Sequence, residues 1–279
     1  MPNTYAISVG VADVRRDPDP ASELVTQALL NAPAQGGESS GAWTHVVLVD
    51  YEGWIQSGEL AEPVRKGFCK VGEHCATPLD LVAVVTATHA PLYGAATGNE
   101  TLDTVYLSTA LPLLDTTDQE RVQVALPAEQ SGWLARRDIS IRQGNEIYPH
   151  APIVTIITYG HAFLNVPYLW GGTSWRGIDC SAFVQLCYRM GGYILPRDAD
   201  QQHDALTHTI KREEMQEGDL IFFGSKSITH VAMALNNKEY IHAAGEPYQR
   251  VTINSFDPSQ PHYHERLDHI VWAIKRVVS

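Results

Sequence analysis

The sequence predicts an α+β protein in which two small β-barrels precede a larger domain built from a helix bundle packed on an antiparallel sheet. Three observations carry that expectation. The N-terminal half reads as two successive sets of short alternating strands with the same order of parts. Composition changes near Pro152, where an apolar pattern with helical spacing begins. A second helical pattern starts at Asp179, and five strand-like runs follow it.

Size and charge bound the answer first. With 279 residues, 44% hydrophobic and 19% charged, the chain has ample material for a core and is long for one compact unit. The 20 Lys and Arg against 32 Asp and Glu give a net charge of -12, so the broad positive field required by nucleic acid or an anionic membrane surface is missing. A small or zwitterionic partner is expected. The first residues, MPNTYAISVG, show neither the basic nor the long apolar region of a secretory signal, and no later run approaches the roughly 18 apolar residues of a membrane span. A cytoplasmic location is therefore expected; the protein is taken as a monomer. The four cysteines are sparse and expected as thiols. Cys69 and Cys75, with His74 between them, lack the second ligand pair of a structural zinc site and are read as loop residues; neither a metal nor another cofactor is expected.

In chain order, YAISVGVADVR, ELVTQALL and WTHVVLVDYEGWIQ read as strands, with a polar loop, NAPAQGGESSG, before the last of them. Residues 63–78, rich in Pro, Gly and Lys, read as a connector. LVAVVTATHAPLYG, TVYLSTALPLLD and RVQVALPAEQSGWLARRDI then repeat the pattern, closing on Gly132-Trp133-Leu134 as the first set closes on Gly53-Trp54-Ile55. The match indicates an internal duplication, and both tryptophans are read as core. Barrels over 1–65 and 79–143 and a third domain over 152–279 follow. There, IVTIITYGHAFLNV is helical, and Gly171-Gly172 and Gly177 carry a loop to Asp179. Asp179 is a good N-cap; Phe183, Leu186, Cys187 and Met190 recur at helical spacing until Gly191-Gly192 stop the helix. LIFFG, THVAMAL, EYIHAA, RVTIN and HIVWAIKRV are the expected strands.

The chemistry converges on Cys180. In the first turn of a helix the free N–H groups and positive dipole end favour a thiolate, which can bring a cysteine from about 8.5 to roughly 3.5–7.5. An arbitrary cysteine is more often inert and buried, so a base has to be found. His230 shares a strand face with Ala232 and Ala234, two small residues that leave room for the helix carrying Cys180; His242 lies with Tyr240 and Ala244 on the next strand. If those strands pair, the two imidazoles meet at one end of one face, giving a nucleophile, a base and an orienting group. His45, His74, His150, His262 and His264 are read as surface or structural residues.

Together, Tyr168-Leu-Trp-Gly-Gly, Asp179-Cys180-Ser181, Pro196-Arg197, Gly218-Asp219-Leu-Ile-Phe-Phe, His230 and Tyr-Ile-His242-Ala resemble the NlpC/P60 family of papain-like cysteine peptidases, with spacings 230 − 180 = 50 and 242 − 230 = 12. The two N-terminal units resemble bacterial SH3-like (SH3b) domains. The combination is similar to γ-D-glutamyl-L-diamino acid endopeptidases, which cleave murein peptides with a free N-terminal L-Ala. The resemblance implies that Cys180 attacks, His230 is the base, His242 orients it, and Tyr168 helps to hold the oxyanion. It further implies that Asp179 and Ser181 bind the peptide's ammonium, with Tyr51, or else Glu52, closing that pocket. Asp179 would then both cap and bind, and Ala199 stands where some relatives carry a hydroxyl. A thiol acyltransferase or amidase, or a non-catalytic SH3b peptide-binding protein, is the alternative.

Overall fold

The structure, a computed structural model, describes residues 3–64 and 81–277. The Cys69, His74 and Cys75 reading lies outside the described residues. The chain divides into two compact units, Met1–Ile147 and Tyr148–Ser279.

In the first unit, β1 (Asn3–Ile7), β2 (Val11–Arg15), β3 (Leu24–Leu29), β4 (Pro33–Ser40), β5 (Trp43–Val47), β6 (Glu52–Gln56) and β7 (Leu60–Ala61) form one antiparallel sheet in the order β3-β2-β6-β5-β4-β1-β7. A second sheet holds β8 (Leu81–Val85), β9 (His89–Tyr93), β10 (Thr101–Tyr106), β11 (Ala110–Asp115), β12 (Arg121–Leu126), β13 (Gln130–Ala135) and β14 (Ile139–Gln143). Its order, β10-β9-β13-β12-β11-β8-β14, is that of the first sheet strand for strand. The expected duplication is thus present in the topology, down to a short 3-10 turn after β6 and after β13, at Ser57–Glu59 and Arg136–Asp138.

Two expectations change here. NAPAQGGESSG is not a loop, because β4 pairs with β1 through Tyr5↔Ala34 and with β5 through Ser40↔Trp43. Ladder hydrogen bonding overrides the weak strand preference of Gly and Ser, and a register shift between Gly36 and Ser39 absorbs the misfit. Trp54 and Trp133 are half-buried, while the neighbours Ile55 and Leu134 are fully buried in the two cores. The pleat sends successive side chains to opposite faces, so the tryptophans stand on the outer one.

The two sheets of this unit meet closely. The N–H of Gly10 donates to Asp103 Oδ2 at 2.6 Å, the Asn31 amide donates to the Ala110 carbonyl at 3.0 Å, and Leu30 packs into the second core. A Cβ on Gly10 would collide with the Thr104 carbonyl oxygen, so only glycine fits the junction.

The second unit opens with α1 (Ile153–Ala162) and a two-stranded ribbon of β15 (Thr173–Ser174) and β16 (Gly177–Ile178). It continues with α2 (Cys180–Met190), α3 (Ala199–Ala205), β17 (Thr209–Ile210), β18 (Leu220–Gly224), β19 (Ile228–Ala234), β20 (Glu239–Ala244) and β21 (Arg250–Ser255). A short α4 (Glu265–His269) and β22 (Val271–Lys275) complete it. The sheet is antiparallel in the order β17-β22-β18-β19-β20-β21. All five expected strands are present; β17, α3 and α4 are additional, and the last strand begins only after α4.

Helices α1 and α2 cover the face carrying Met233 and Ile241, where the absent side chain of Gly160 leaves space for Met233, Phe183 and Ile241. Ala232 and Ala234 lie on the other face, in a core with Phe223, Tyr240, Phe256, Leu267 and Ile274. The alanines therefore do not seat the Cys180 helix, as the sequence suggested; they make room for aromatic rings and α4.

Candidate active site

Helix α2 starts where expected, with Asp179 extended at φ −92° and ψ 176° and its Oδ1 accepting from the Ala182 N–H at 2.8 Å. It ends at Gly191 and at Gly192, whose φ of +81° suits glycine. Cys180 is thereby held in the first turn, 6% exposed. Its sulfur faces the backbone N–H groups of Val231, on β19, and of Ser181.

Val231 follows His230, and His230 meets His242. Registers Met233↔Ile241 and Ala234↔Tyr240 set the pairing of β19 with β20 and leave the two histidines as diagonal neighbours. His230 Nε2 lies 2.7 Å from His242 Nδ1, with the rings edge to face at a centroid distance of 4.9 Å. Cys180, His230 and His242, singled out from the sequence, are thus brought to one place.

Their electrostatics differ from the expectation of a lowered thiol pKa. Burial, and then the Asp179 carboxylate, push the Cys180 thiol up to about 12, against the opposing pull of the Val231 N–H and Arg197. Desolvation at this buried helix start outweighs the dipole. Burial also holds His230 well below 6.5, helped by His242 and His264, and lowers His242 to about 4. Both shifts favour the uncharged forms of the thiol and the imidazole.

Tyr168 sits in the loop before Cys180, its N–H bonded to the Gln249 carbonyl at 2.9 Å and its backbone bridged to Ile178. Burial and the proximity of Cys180 and Asp179 raise its hydroxyl pKa, so it remains a proton donor. Gly171, at φ +75°, donates its N–H to Asp179 Oδ2 at 3.0 Å and closes this loop onto the cap.

Asp179 proves busier than its sequence position indicates. Oδ1 takes hydrogen bonds from Ala182, from the Ser181 hydroxyl at 3.2 Å and from Arg197 Nη1 at 3.0 Å; Oδ2 takes Gly171 and, at 2.6 Å, Arg197 Nη2. Arg197, 1% exposed, also donates to the Ser181 hydroxyl at 2.9 Å. Five donors converge on a carboxylate with about four lone-pair sites. The arginine reaches it because Gln185 and Gln202 hold the carbonyls of Leu195 and Pro196 at 3.0 and 2.9 Å. Arg197 was visible in the sequence only as part of a motif; a single buried arginine gives no pattern of its own.

Tyr51 and Glu52 belong to the first unit, Tyr51 half-buried against that unit's core and Glu52 exposed at the start of β6. Ala199 opens α3. His262 and His264, read from the sequence as surface or structural residues, lie close to the site: the His262 carbonyl accepts from Asn254, and His264 contributes to lowering the His230 and His242 imidazoles. Asn254, fully buried, was missed altogether; the alternation of RVTIN was its only signal.

Comparison with known proteins agrees with this geometry. Residues 165–271 match the NlpC/P60 family, 14–60 a bacterial dipeptidyl-peptidase Sh3 domain, and 85–141 the YKFC SH3b2 domain. A gamma-D-glutamyl-L-lysine dipeptidyl-peptidase of Bacillus cereus is 32% identical over 238 residues, covering 80% of this chain and 68% of that one. The chain belongs to the NlpC/P60 family. Dipeptidyl-peptidase 6 of Lysinibacillus sphaericus is 26% identical over 95% of this chain and 96% of its own. The crystal structure of an NlpC/P60 family protein from Bacillus cereus superposes with a TM-score of 0.84 at 25% identity, covering 99% of this chain and 100% of that one. The chain thus combines an NlpC/P60 domain, which carries Cys180, with two SH3b-type domains before it.

Proposed function

We propose that this NlpC/P60 protein is a cysteine endopeptidase that hydrolyses the bond between γ-D-glutamate and the next residue, a diamino acid, in murein peptides with a free N-terminal L-alanine. The observation that supports it most directly is the 2.7 Å contact between His230 and His242, with Cys180 against the adjoining Val231 N–H. His230 takes the thiol proton as sulfur bonds to the γ-carbonyl carbon and the carbonyl π pair moves onto oxygen. The oxyanion is met by the Cys180 N–H and the Tyr168 hydroxyl. Collapse breaks the C–N bond, and the departing amine takes the proton from His230. Water then adds to the thioester, gives a proton to His230, and releases the acid as the thiol is restored.

Asp179 acts on the peptide through the lattice it shares with Arg197 and Ser181, since its lone pairs are already engaged, and Ser181 lines the ammonium site beside it. The two seven-stranded sheets correspond to the SH3-like barrels, over 1–65 and 79–143, and the helices on the 152–279 sheet to a papain-like domain. Action on free peptides, in the cytoplasm and as a monomer, belongs to the same reading; among the described residues no helix is long and apolar enough to cross a membrane. The test is mass-spectrometric detection of L-Ala-γ-D-Glu released from tripeptides ending in lysine or diaminopimelate. Release by the wild type and none by Cys180→Ala is expected; equal traces overturn the reading.

A further inference from the structure

The polar chain behind the nucleophile does not stop at His242. His242 Nε2 lies 2.9 Å from Asn254 Oδ1, and the Asn254 amide nitrogen donates to the His262 carbonyl at 2.8 Å and to the Tyr248 hydroxyl at 3.0 Å. His242 faces Thr252 across β20 and β21, so Asn254 is its diagonal neighbour on the same face. The link between the two side chains is buried, with His242 1% exposed and Asn254 0% exposed, while Tyr248 and His262 are half-buried.

A peptide carbonyl can only accept, so the amide nitrogen of Asn254 must point at His262 and its oxygen at His242. An amide oxygen can also only accept, so His242 carries its proton on Nε2. A neutral imidazole then has a lone pair on Nδ1, which accepts from His230 Nε2–H. His230 is left with a bare Nδ1, the atom required to take the Cys180 proton. Burial keeps both rings neutral, so each has one proton to place.

We propose that Asn254 is a positioning residue that fixes the tautomers of His242 and His230, with the His262 backbone carbonyl as the fixed end of the chain Cys180–His230–His242–Asn254. The inference deepens the peptidase reading and rests on it for the direction of proton transfer. Its effect on rate is indirect: Asn254 touches no reacting atom. With Asn254 replaced by an apolar side chain, His242 is free to donate from Nδ1, and His230 then presents its proton to sulfur, where a lone pair is needed.

Nitrogen-15 NMR of the imidazoles in the full-length protein tests this without reference to turnover. In the wild type at neutral pH both rings should carry the proton on Nε2; a wild-type His242 protonated on Nδ1 overturns the proposal whatever the variants do. Asn254→Leu should shift His242 and His230 toward the Nδ1–H form and lower kcat roughly tenfold or more with KM little changed. Asn254→Asp keeps an acceptor toward His242 while losing the amide donor to His262. It should preserve the Nε2–H tautomer and most of the rate, which a purely structural bridge to His262 does not explain. Unchanged tautomers in Asn254→Leu, or equal losses in both variants, count against the proposal. A wild type with the expected tautomers and no peptide hydrolysis leaves the proton chain standing and removes the peptidase reading instead.

Discussion

Arg197 grips Asp179, the residue immediately before Cys180, from the side, its Nη2 2.6 Å from Oδ2 and its Nη1 3.0 Å from Oδ1. The pair is buried, with side-chain exposures of 2% and 9%. It fixes the turn from the glycine loop into α2, because the same carboxylate caps that helix and holds the Gly171 N–H. The position of Cys180 thus depends on a residue 17 positions further along the chain (197 − 180 = 17).

Removing one partner of such a pair strands the other charge. Arg197→Ala should cost about 3–5 kcal/mol in urea unfolding. Arg197→Lys should recover little of it, since an ammonium cannot reproduce the two-pronged contact. Full recovery by lysine would show that charge alone matters here.

A neutral thiol predicts a specific alkylation profile. The Cys180-dependent rate with iodoacetamide should stay low through the pH range where an ordinary cysteine already reacts and climb only toward about 12, and far-ultraviolet thiolate absorbance lost in Cys180→Ala should appear over the same strongly alkaline range. Cys187, fully buried and raised further by desolvation, should not react while the protein is folded. A thiolate signal already present near pH 6 would contradict the neutral resting pair.

Acid should weaken the second unit. His242 titrates near 6.5 when unfolded and at about 4 when folded, so between those values the unfolded chain binds more protons and stability falls as pH drops. The shift corresponds to about 3 kcal/mol, complete near pH 4, and His230 acts in the same direction. His264, the Tyr240 ring and, through Asn254, Tyr248 are the other titratable groups around His242. Unfolding measured at several pH values should show this slope, and His242→Gln should flatten it.

Tyr168→Phe leaves one of the two proposed oxyanion donors in place. Loss of one donor in such a site costs about 10²-fold or more in kcat. A drop of that size with KM nearly unchanged is expected from steady-state kinetics. A change confined to KM would place Tyr168 in binding.

Gly10→Ala tests the junction inside the first unit. Its Cβ has nowhere to go except into the Thr104 carbonyl, and the Gly10–Asp103 hydrogen bond is pushed apart. A destabilisation of about 1–3 kcal/mol is expected, read as an earlier unfolding of the Met1–Ile147 region by hydrogen exchange.

Local patterns were enough for much of this protein. The repeated strand order, the N-cap at Asp179, the helical spacing that follows it and the two strand histidines are each set by neighbours in sequence, whose geometry is periodic and therefore readable. Tertiary structure decided the rest. NAPAQGGESSG became a strand because β1 and β5 supplied ladder partners, and Trp54 and Trp133 moved to the outer face because the pleat gave the core to Ile55 and Leu134. Asp179-Cys180-Ser181 could be recognised as a nucleophile with polar flanks, but its thiol pKa depends on burial and on Arg197, and its proton path on Asn254 and the His262 carbonyl. Those partners arrive from 17 to 82 residues away (197 − 180 = 17; 262 − 180 = 82), and electrostatics over such separations in sequence is a property of the folded arrangement alone.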